Sequence, residues 1–256
     1  MNGAFYIGAI GLDAQQRALD VVANNIANIN TVGFKRSAVR FSELVAPARD
    51  AADLPMALRD RGASLDGATM VATPRVWGQG DLRPTGQMFD VAIQGDGFIE
   101  LMGPAGRRLL WRGGTLRVNE DGYLATADGT VLRAMISVPQ GAGALGIAPD
   151  GTVSAAIDGA AGQLGQIDLV MARAPDMLVE DGNGYYEAAD DGGVVSVRPG
   201  EEGGGILVQG SLEGSNTLLA DEMTNLLLLQ RAFAANAQVV QAGDQLMSIV
   251  NGLRRL

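Results

Sequence analysis

Apolar residues at the start of the chain recur every three or four positions. Between residues 1 and 32 the repeating positions are Ile7, Ile10, Ala14, Ala18, Val21 or Val22, Ile26 and Ile29. This spacing places an apolar stripe along one side of an α-helix. Gly33 follows at a position where a left-handed residue often closes a helix. The pattern predicts a helix over 1–32.

A second, longer stripe lies at the other end of the chain. Its members are Leu219, Met223, Leu226, Leu229, Phe233, Ala237, Val240, Met247 and Val250. Most steps fit a heptad repeat, which predicts a helix over 217–253. Ser215 and Asn216 can cap its start, and Asp221 and Glu222 suit the positive end of the helix dipole.

The middle of the chain alternates short β-prone runs with turn signals. The clearest runs are DVAIQ (90–94), GFIEL (97–101), RRLLW (107–111), TVLRAMISV (130–138), QIDLVMA (166–172) and GILVQG (205–210). Asp-Gly pairs occur at 66–67, 121–122, 128–129, 150–151, 158–159, 181–182 and 191–192. Asp-Gly between such runs indicates hairpins, and no helical pattern alternates with them, so we expect an antiparallel sheet.

These patterns predict an α+β fold with a discontinuous helical domain at the two ends. That domain takes residues 1–35 plus 213–256, and a central antiparallel all-β domain takes 71–212. Residues 36–70, which contain Pro47 and Pro55, are expected to form a linker or an irregular packing segment.

The two predicted helices carry almost no charge. No charged residue lies between Val21 and Phe34, and Arg231 is the only one between Met223 and Gly243. A helix on the surface of a monomer normally shows a charged face opposite its apolar stripe. We therefore expect the ends to pack against other copies of the chain in a homo-oligomer. The alternative is an ordinary antiparallel helix pair packed on the β domain.

An assembly interface is predicted on these neutral ends. The Asn residues near the end of the first helix fit two interpretations: turn chemistry, or amide hydrogen bonds to Gln230, Asn236 and Gln238 of other subunits. The predicted interface residues are Asn24, Asn25, Ile26, Asn28, Asn30, Gly33, Phe34, Leu226, Leu229, Gln230, Phe233, Asn236, Val240 and Met247.

Composition argues against most catalytic and binding functions. The 256 residues include no Cys and no His, and Lys35 is the only lysine. Thiol chemistry, thiolate metal sites and histidine bases are thereby excluded. The net charge of −10 argues against binding to nucleic acid, which needs a basic surface. The excess negative charge lies in the middle of the chain, because 24 of the 29 acidic but only 12 of the 19 basic residues lie within 42–216. We expect no cofactor, no metal and no small-molecule substrate.

The N-terminus and the hydropathy pattern bear on location. No run of eighteen apolar residues occurs, which predicts no membrane-spanning helix. The first twenty residues lack a basic segment and a clear cleavage site, so no cleaved secretory signal is expected.

Two other classes of function remain as alternatives. A carboxylate-dependent hydrolase of cell-wall glycan could use Asp96 and Glu100, but such a pair needs one acid in an apolar pocket beside an ionised partner. A monomeric β-rich adhesin or binding module is the other alternative, and sedimentation separates it from a polymer.

Four stretches resemble the axial proteins of the bacterial flagellum, meaning its rod, hook and hook-associated subunits. ANNIANINTVGFKR (23–36) and LEGSNTLLADEMTNLLLLQRAFAANAQVVQAGDQLM (212–247) resemble the two terminal signatures. GDLRPTGQMFDVAIQGDGFIEL (80–101) and VNEDGYLATADG (118–129) resemble the body of rod and hook proteins. FKRSAVRFSEL (34–44) resembles the distal rod member, LEGSN also occurs in a proximal one, and AANAQ resembles hook proteins, so the position in the rod stays open.

The resemblance implies a structural, non-enzymatic subunit of the flagellar basal-body rod, with a hook-type subunit as the alternative. In the family the terminal helices pair as a coiled coil lining a hollow drive shaft, with the β domain outside. The implied partners are copies of the chain, other rod and hook proteins, the type III export apparatus and surrounding ring proteins. The implied location is the periplasm-spanning basal body, reached without a cleaved signal peptide.

Overall fold

The computed structural model describes residues 2–42, 69–71, 73–157, 160–188, 193–201 and 203–253. The chain groups into two compact units. The first takes the described residues of 1–27, 37–75 and 218–256, and the second takes those of 28–36 and 76–217. Most of the predicted linker and the Asp-Gly pairs at 66–67, 158–159 and 191–192 lie outside the described residues. The predicted three-part division of the chain stays a prediction.

The N-terminal helix is shorter than predicted. Helix α1 spans Asn2–Ala27 instead of 1–32. A turn follows, in which the Thr31 amide donates to the Asn28 carbonyl and the Thr31 hydroxyl to the Asn28 side chain. Asn and β-branched residues favour such local bonds over helical ones, which ends the helix early. Gly33 has the predicted left-handed backbone, with φ +68°, but six residues beyond the helix end.

The C-terminal helix begins two residues later than predicted. Helix α2 spans Leu219–Leu253, with Asp221 and Glu222 in its first turn as expected. The proposed cap at Asn216 is wrong, because its amide oxygen accepts from the Arg36 backbone and its amide nitrogen donates to the Val76 carbonyl. Neither helix in the described part of the chain is long and apolar enough to cross a membrane.

The first unit also holds a short β-ladder. Strand β1 (Arg40–Ser42) pairs antiparallel with β2 (Thr69–Val71). Helices α1 and α2 contact each other within this unit.

The second unit is an antiparallel β domain, as predicted. Its strands are β3 Leu82–Pro84, β4 Asp90–Gln94, β5 Phe98–Met102, β6 Arg108–Trp111, β7 Gly113–Val118, β8 Leu124–Thr126, β9 Val131–Leu132, β10 Leu145–Ile147, β11 Thr152–Ile157, β12 Ala160–Gln166, β13 Leu169–Ala172, β14 Leu178–Gly182, β15 Tyr185–Ala188, β16 Val194–Val197, β17 Ile206–Gln209 and β18 Ser211–Glu213. The main sheet has the order β14-β15-β6-β5-β9-β8-β7-β4-β17, with β13 joining β5 to β16; β10-β11-β12 and β3-β18 form smaller sheets.

Apolar side chains fill both faces of the main sheet. Successive strand residues point to opposite faces, so Ile99 enters a large core cluster while Phe98 enters a smaller one. Trp77 packs edge-on against Phe98 and Tyr186 in the smaller cluster, with ring centroids 5.4 and 4.9 Å away. The two clusters explain why β5 and β6 are buried along most of their length.

The predicted hairpins are confirmed at three of the four predicted Asp-Gly turns that the structure describes. The pairs at 121–122, 128–129 and 150–151 each join neighbouring antiparallel strands. Asp181 and Gly182 instead end β14, and residues 183–184 form the turn to β15. The four glycines have φ between 83° and 98°, a region that glycine enters without steric cost.

The run TVLRAMISV does not form the long strand that was predicted. Only Val131–Leu132 is a strand, and a turn follows in which the Met135 amide donates to the Leu132 carbonyl at 2.9 Å. Met135 itself has φ +46°. The turn carries Ile136 back into the core, where it is 2% exposed.

Candidate assembly interface

One face of α2 packs inside the first unit. Leu226, Leu229, Phe233, Asn236 and Val240 are half-buried at alternating steps of three and four residues. This row continues the predicted stripe, except that Leu219 and Met223 remain exposed. The side chain of Met247 lies outside the described residues.

Helices α1 and α2 approach closely at a glycine. A β-carbon placed on Gly11 would lie 3.1 Å from the Asn236 amide nitrogen. The Gln15 side-chain amide oxygen is buried and has no hydrogen-bond partner among the described residues. The contact between the helices therefore contains amide groups as well as apolar ones.

The opposite face of α2 is apolar and exposed. Leu227, Leu228, Val239 and Ile249 are each 58–60% exposed. Arg231 is exposed on the same helix, as is Gln230. Single exposed apolar residues are ordinary, but several together on one element mark an interaction surface.

The Asn residues of the predicted interface have different surroundings. Asn25 is 1% exposed, and its amide both donates to the Ser37 carbonyl and accepts from the Ser37 amide, at 2.9 Å each. Asn28 takes part in the turn after α1, whereas Asn24 and Asn30 are exposed. Ile26 is half-buried. Within one chain, hydrogen bonds to the Ser37 backbone therefore occupy Asn25, and turn chemistry occupies Asn28.

Gly33 and Phe34 lie in the second unit and are buried there. The Gly33 amide donates to the Glu213 carbonyl at 2.8 Å, and the Asn216 amide donates to the Phe34 carbonyl at 3.3 Å. The segment after α1 and the segment before α2 are thus hydrogen-bonded to each other in this unit.

A buried charge cluster lies between these two segments. The Lys35 ammonium is 2.6 Å from one Glu213 oxygen, and the Arg112 guanidinium is 3.2 Å from the other. All three side chains are at most 5% exposed. Burial lowers the pKa of Lys35, with Arg112 acting in the same direction and Glu213 opposing it.

Backbone groups complete the cluster. The Gly80 amide donates to Glu213 at 2.9 Å, Lys35 donates to the Gly78 carbonyl at 2.9 Å, and Arg112 donates to the carbonyls of Gly95 and Gly97. Each buried charge therefore has several partners, which is the condition under which buried ions are tolerated. Lys35, Arg112, Glu213 and Asn216 were missed as a group, although the single lysine of the chain was a signal.

The candidate carboxylates of a hydrolase are not placed for that chemistry. Asp96 is exposed in the turn between β4 and β5. Glu100 forms ion pairs with Arg108 and Arg133. A general acid needs apolar surroundings instead of two guanidinium groups.

Comparison with known proteins assigns the chain to a family. Residues 5–35 match the family described as "Flagella basal body rod protein", residues 92–155 "Flagellar hook protein FlgE/F/G D1 domain", and residues 208–253 "Flagellar basal body rod FlgEFG protein C-terminal". The flagellar basal-body rod protein FlgG of Borreliella burgdorferi is 34% identical over 100% of both chains. The chain belongs to the flagellar basal-body rod protein family.

Further relatives cover nearly the whole chain. The basal-body rod protein FlgG of Agrobacterium fabrum is 35% identical over 97% of this chain and 98% of its own. The basal-body rod protein FlgF of Caulobacter vibrioides is 30% identical over 94% of this chain and 93% of its own.

The three segments that match rod and hook family descriptions meet at the buried cluster. The first contains Lys35, the second Arg112 and the third Glu213. The parts of the chain that carry the family resemblance are thus joined by one set of ion pairs.

Proposed function

We propose that this rod-family chain is a structural, non-enzymatic subunit that polymerises helically into a hollow drive shaft of the flagellar basal body. The exposed apolar face of α2 carries the proposal. Leu227, Leu228, Val239 and Ile249 are more than half exposed among the described residues. Burying the remainder of each in a neighbour contributes at most about 1.5–3 kcal/mol before the cost of association.

The contact between α1 and α2 forms a coiled coil in this proposal. The half-buried row of α2 supports it, because steps of three and four residues are those of a heptad seam. All fourteen residues predicted at the interface then serve one assembly: the buried ones shape the subunit, and the exposed ones face its neighbours.

The proposal extends to the surroundings of the polymer, and membership of the rod family supports it. Copies of the chain, other rod and hook proteins and the surrounding rings are its partners, and the export apparatus delivers it across the cytoplasmic membrane without a cleaved signal peptide. The finished shaft spans the periplasm, transmits torque and passes exported subunits. The distal part of the rod is the proposed position, because FKRSAVRFSEL (34–44) resembles the distal rod member.

Sedimentation of the purified chain over a range of concentrations tests the proposal. We expect a monomer at low concentration and helical tubes above a critical concentration, with cryo-EM placing α1 and α2 at the lumen. A chain that stays monomeric at every concentration, alone and with other rod proteins, contradicts it.

A further inference from the structure

A groove of the second unit opens beside the turn between β8 and β9. Its volume is about 290 Å³. Val32, Trp111 and Leu212 contribute apolar surface to its lining, and Val32 is 42% exposed. A β-carbon on Gly114 would lie 2.7 Å from the Trp111 ring, so the ring packs directly against this glycine and no side chain fits between them.

An ionised carboxylate also lines the groove. Asp128 accepts hydrogen bonds from the hydroxyls of Tyr185 and Thr126 and, at 3.5 Å, from the Asn183 amide. Burial opposes ionisation, but these hydrogen bonds outweigh it and hold the pKa of Asp128 below its usual value. Asp128 is exposed, and no cation pairs with it in the described part of the chain.

The apolar lining and the carboxylate together fit a long basic side chain. Arginine lays its aliphatic stem along apolar surface and presents a planar guanidinium to a carboxylate. The chain's lysine, Lys35, is buried in the cluster with Glu213. Since this single lysine is buried and the chain has no histidine, the side-chain cation that a second copy can place in the groove is an arginine.

Arg231 of α2 has the surroundings that the groove requires. It is the only charge between Met223 and Gly243, it is exposed, and among the described residues it has no acidic partner. Leu227 and Leu228 precede it by four and three positions, share its side of the helix and are each 58% exposed. A cation flanked by apolar side chains complements a carboxylate flanked by an apolar wall.

We propose that, in the polymer, the groove at Asp128 receives Arg231 from a second copy of the chain. Leu227 or Leu228 of that copy then covers Val32 and Leu212. This pairing rests on the proposed function, since it requires that copies assemble, and it specifies one contact between the β domain of one subunit and α2 of another.

A reciprocal charge swap in the full-length chain tests the pairing. Asp128→Lys and Arg231→Glu should each raise the critical concentration for assembly by about tenfold or more, and the double variant should recover much of that loss. Asp128→Asn keeps a hydrogen-bond acceptor for Tyr185 and removes only the charge, so it should weaken assembly with the β domain intact. Asp150→Lys, at another exposed Asp-Gly turn, is the matched control and should assemble like the unmodified chain.

Each outcome decides between distinct possibilities. Single variants that assemble like the unmodified chain overturn the pairing while leaving the polymer intact. If the single variants fail to assemble and the double variant does not restore assembly, Arg231 is not the occupant of the groove, and the assignment is overturned. An unmodified chain that never assembles contradicts the proposed function itself, and the pairing with it.

Discussion

At the residue scale, the Lys35–Arg112–Glu213 cluster holds two buried cations against one anion. Carbonyl groups of Gly78, Gly95 and Gly97 offset part of the excess positive charge by accepting hydrogen bonds. Removing the Glu213 carboxylate would therefore leave more unpaired buried charge than removing either cation.

Glu213→Gln should destabilise the β domain far more than Lys35→Met. The first leaves two cations buried without an anion, at a cost of about 3–5 kcal/mol. The second leaves a neutral Arg112–Glu213 pair, and Asn216 still donates to the Gly78 carbonyl, so its cost is at most about 2 kcal/mol. Denaturant unfolding followed by tryptophan fluorescence measures both.

The fluorescence reports on this unit because Trp77 and Trp111, the two tryptophans of the chain, both lie in it. Glu187→Gln, in a half-exposed pair with Arg107, is the control and should cost under about 1 kcal/mol. Equal losses for the Glu213 and Lys35 variants would contradict the charge-balance argument.

Tyr185 should ionise at a higher pH than an ordinary tyrosine side chain does. Burial, and next its hydrogen bond to Asp128, raise the pKa of Tyr185 to about 12, against an ordinary value of about 10. The pKa of Tyr185 is higher in the folded than in the unfolded chain, so its protonated hydroxyl stabilises the folded state. This contribution to stability is complete below about pH 10 and is lost as the pH rises toward 12.

Phenolate absorbance measures this titration directly. Tyr185→Phe should remove the late component of the curve and flatten the loss of stability in the same pH range. A curve in which the late component survives the substitution would assign it to another tyrosine.

At the element scale, α2 has two apolar faces with different roles. The row through Leu226, Leu229 and Phe233 is half-covered inside the subunit, and the side with Leu227 and Leu228 is exposed. A substitution on the exposed side can therefore disturb assembly without disturbing the subunit.

Leu228→Asp should abolish polymerisation and leave the monomer folded. In the polymer, the neighbour's apolar surface would remove water from the new carboxylate without giving it a hydrogen-bond or ion-pair partner, which is strongly unfavourable. Sedimentation measures assembly, and circular dichroism measures the retained helix. Val179→Asp, at a 60% exposed site on β14, is the control and should still polymerise. Tubes formed by Leu228→Asp would place the polymer contact elsewhere.

At the scale of the whole molecule, segments far apart in sequence share the β domain. Lys35 and Glu213 are 178 positions apart yet form a buried pair. The second unit therefore begins and ends with the segments 28–36 and 211–217, which belong in sequence to the two terminal signatures.

Limited proteolysis of the monomer should leave this second unit intact. Cleavage within α1 or α2 is expected to leave 28–36 bound to 76–217, because the Gly33, Lys35 and Asn216 bonds hold the ends in place. Mass spectrometry under native conditions identifies the retained segments. Loss of 28–36 along with α1 would show that the cluster contributes little to holding it, and Glu213→Gln should promote that loss.

Much of the architecture could be predicted because it depends on local chemistry. The two helices follow from apolar spacing, and the Asp-Gly pairs at 121–122, 128–129 and 150–151 form turns because glycine accepts positive φ. Helix α1 was predicted to run too far, and TVLRAMISV was wrongly predicted to form one long strand. Side-chain bonding at Asn28 ends the helix early, and the burial of Ile136 breaks the strand, because both outweigh local propensity. Asn216 looked like a helix cap and instead bonds residues more than a hundred positions away.

The sequence by itself determined the class of elements, the neutrality of the helices and the family signatures, all of which are properties of neighbouring residues. Only the tertiary structure decided that Lys35, Arg112 and Glu213 share one buried site and that Asp128 lines a groove beside Trp111. A charge does not indicate its partner along the chain, because pairing depends on which strands the fold brings together and how far it excludes water from them.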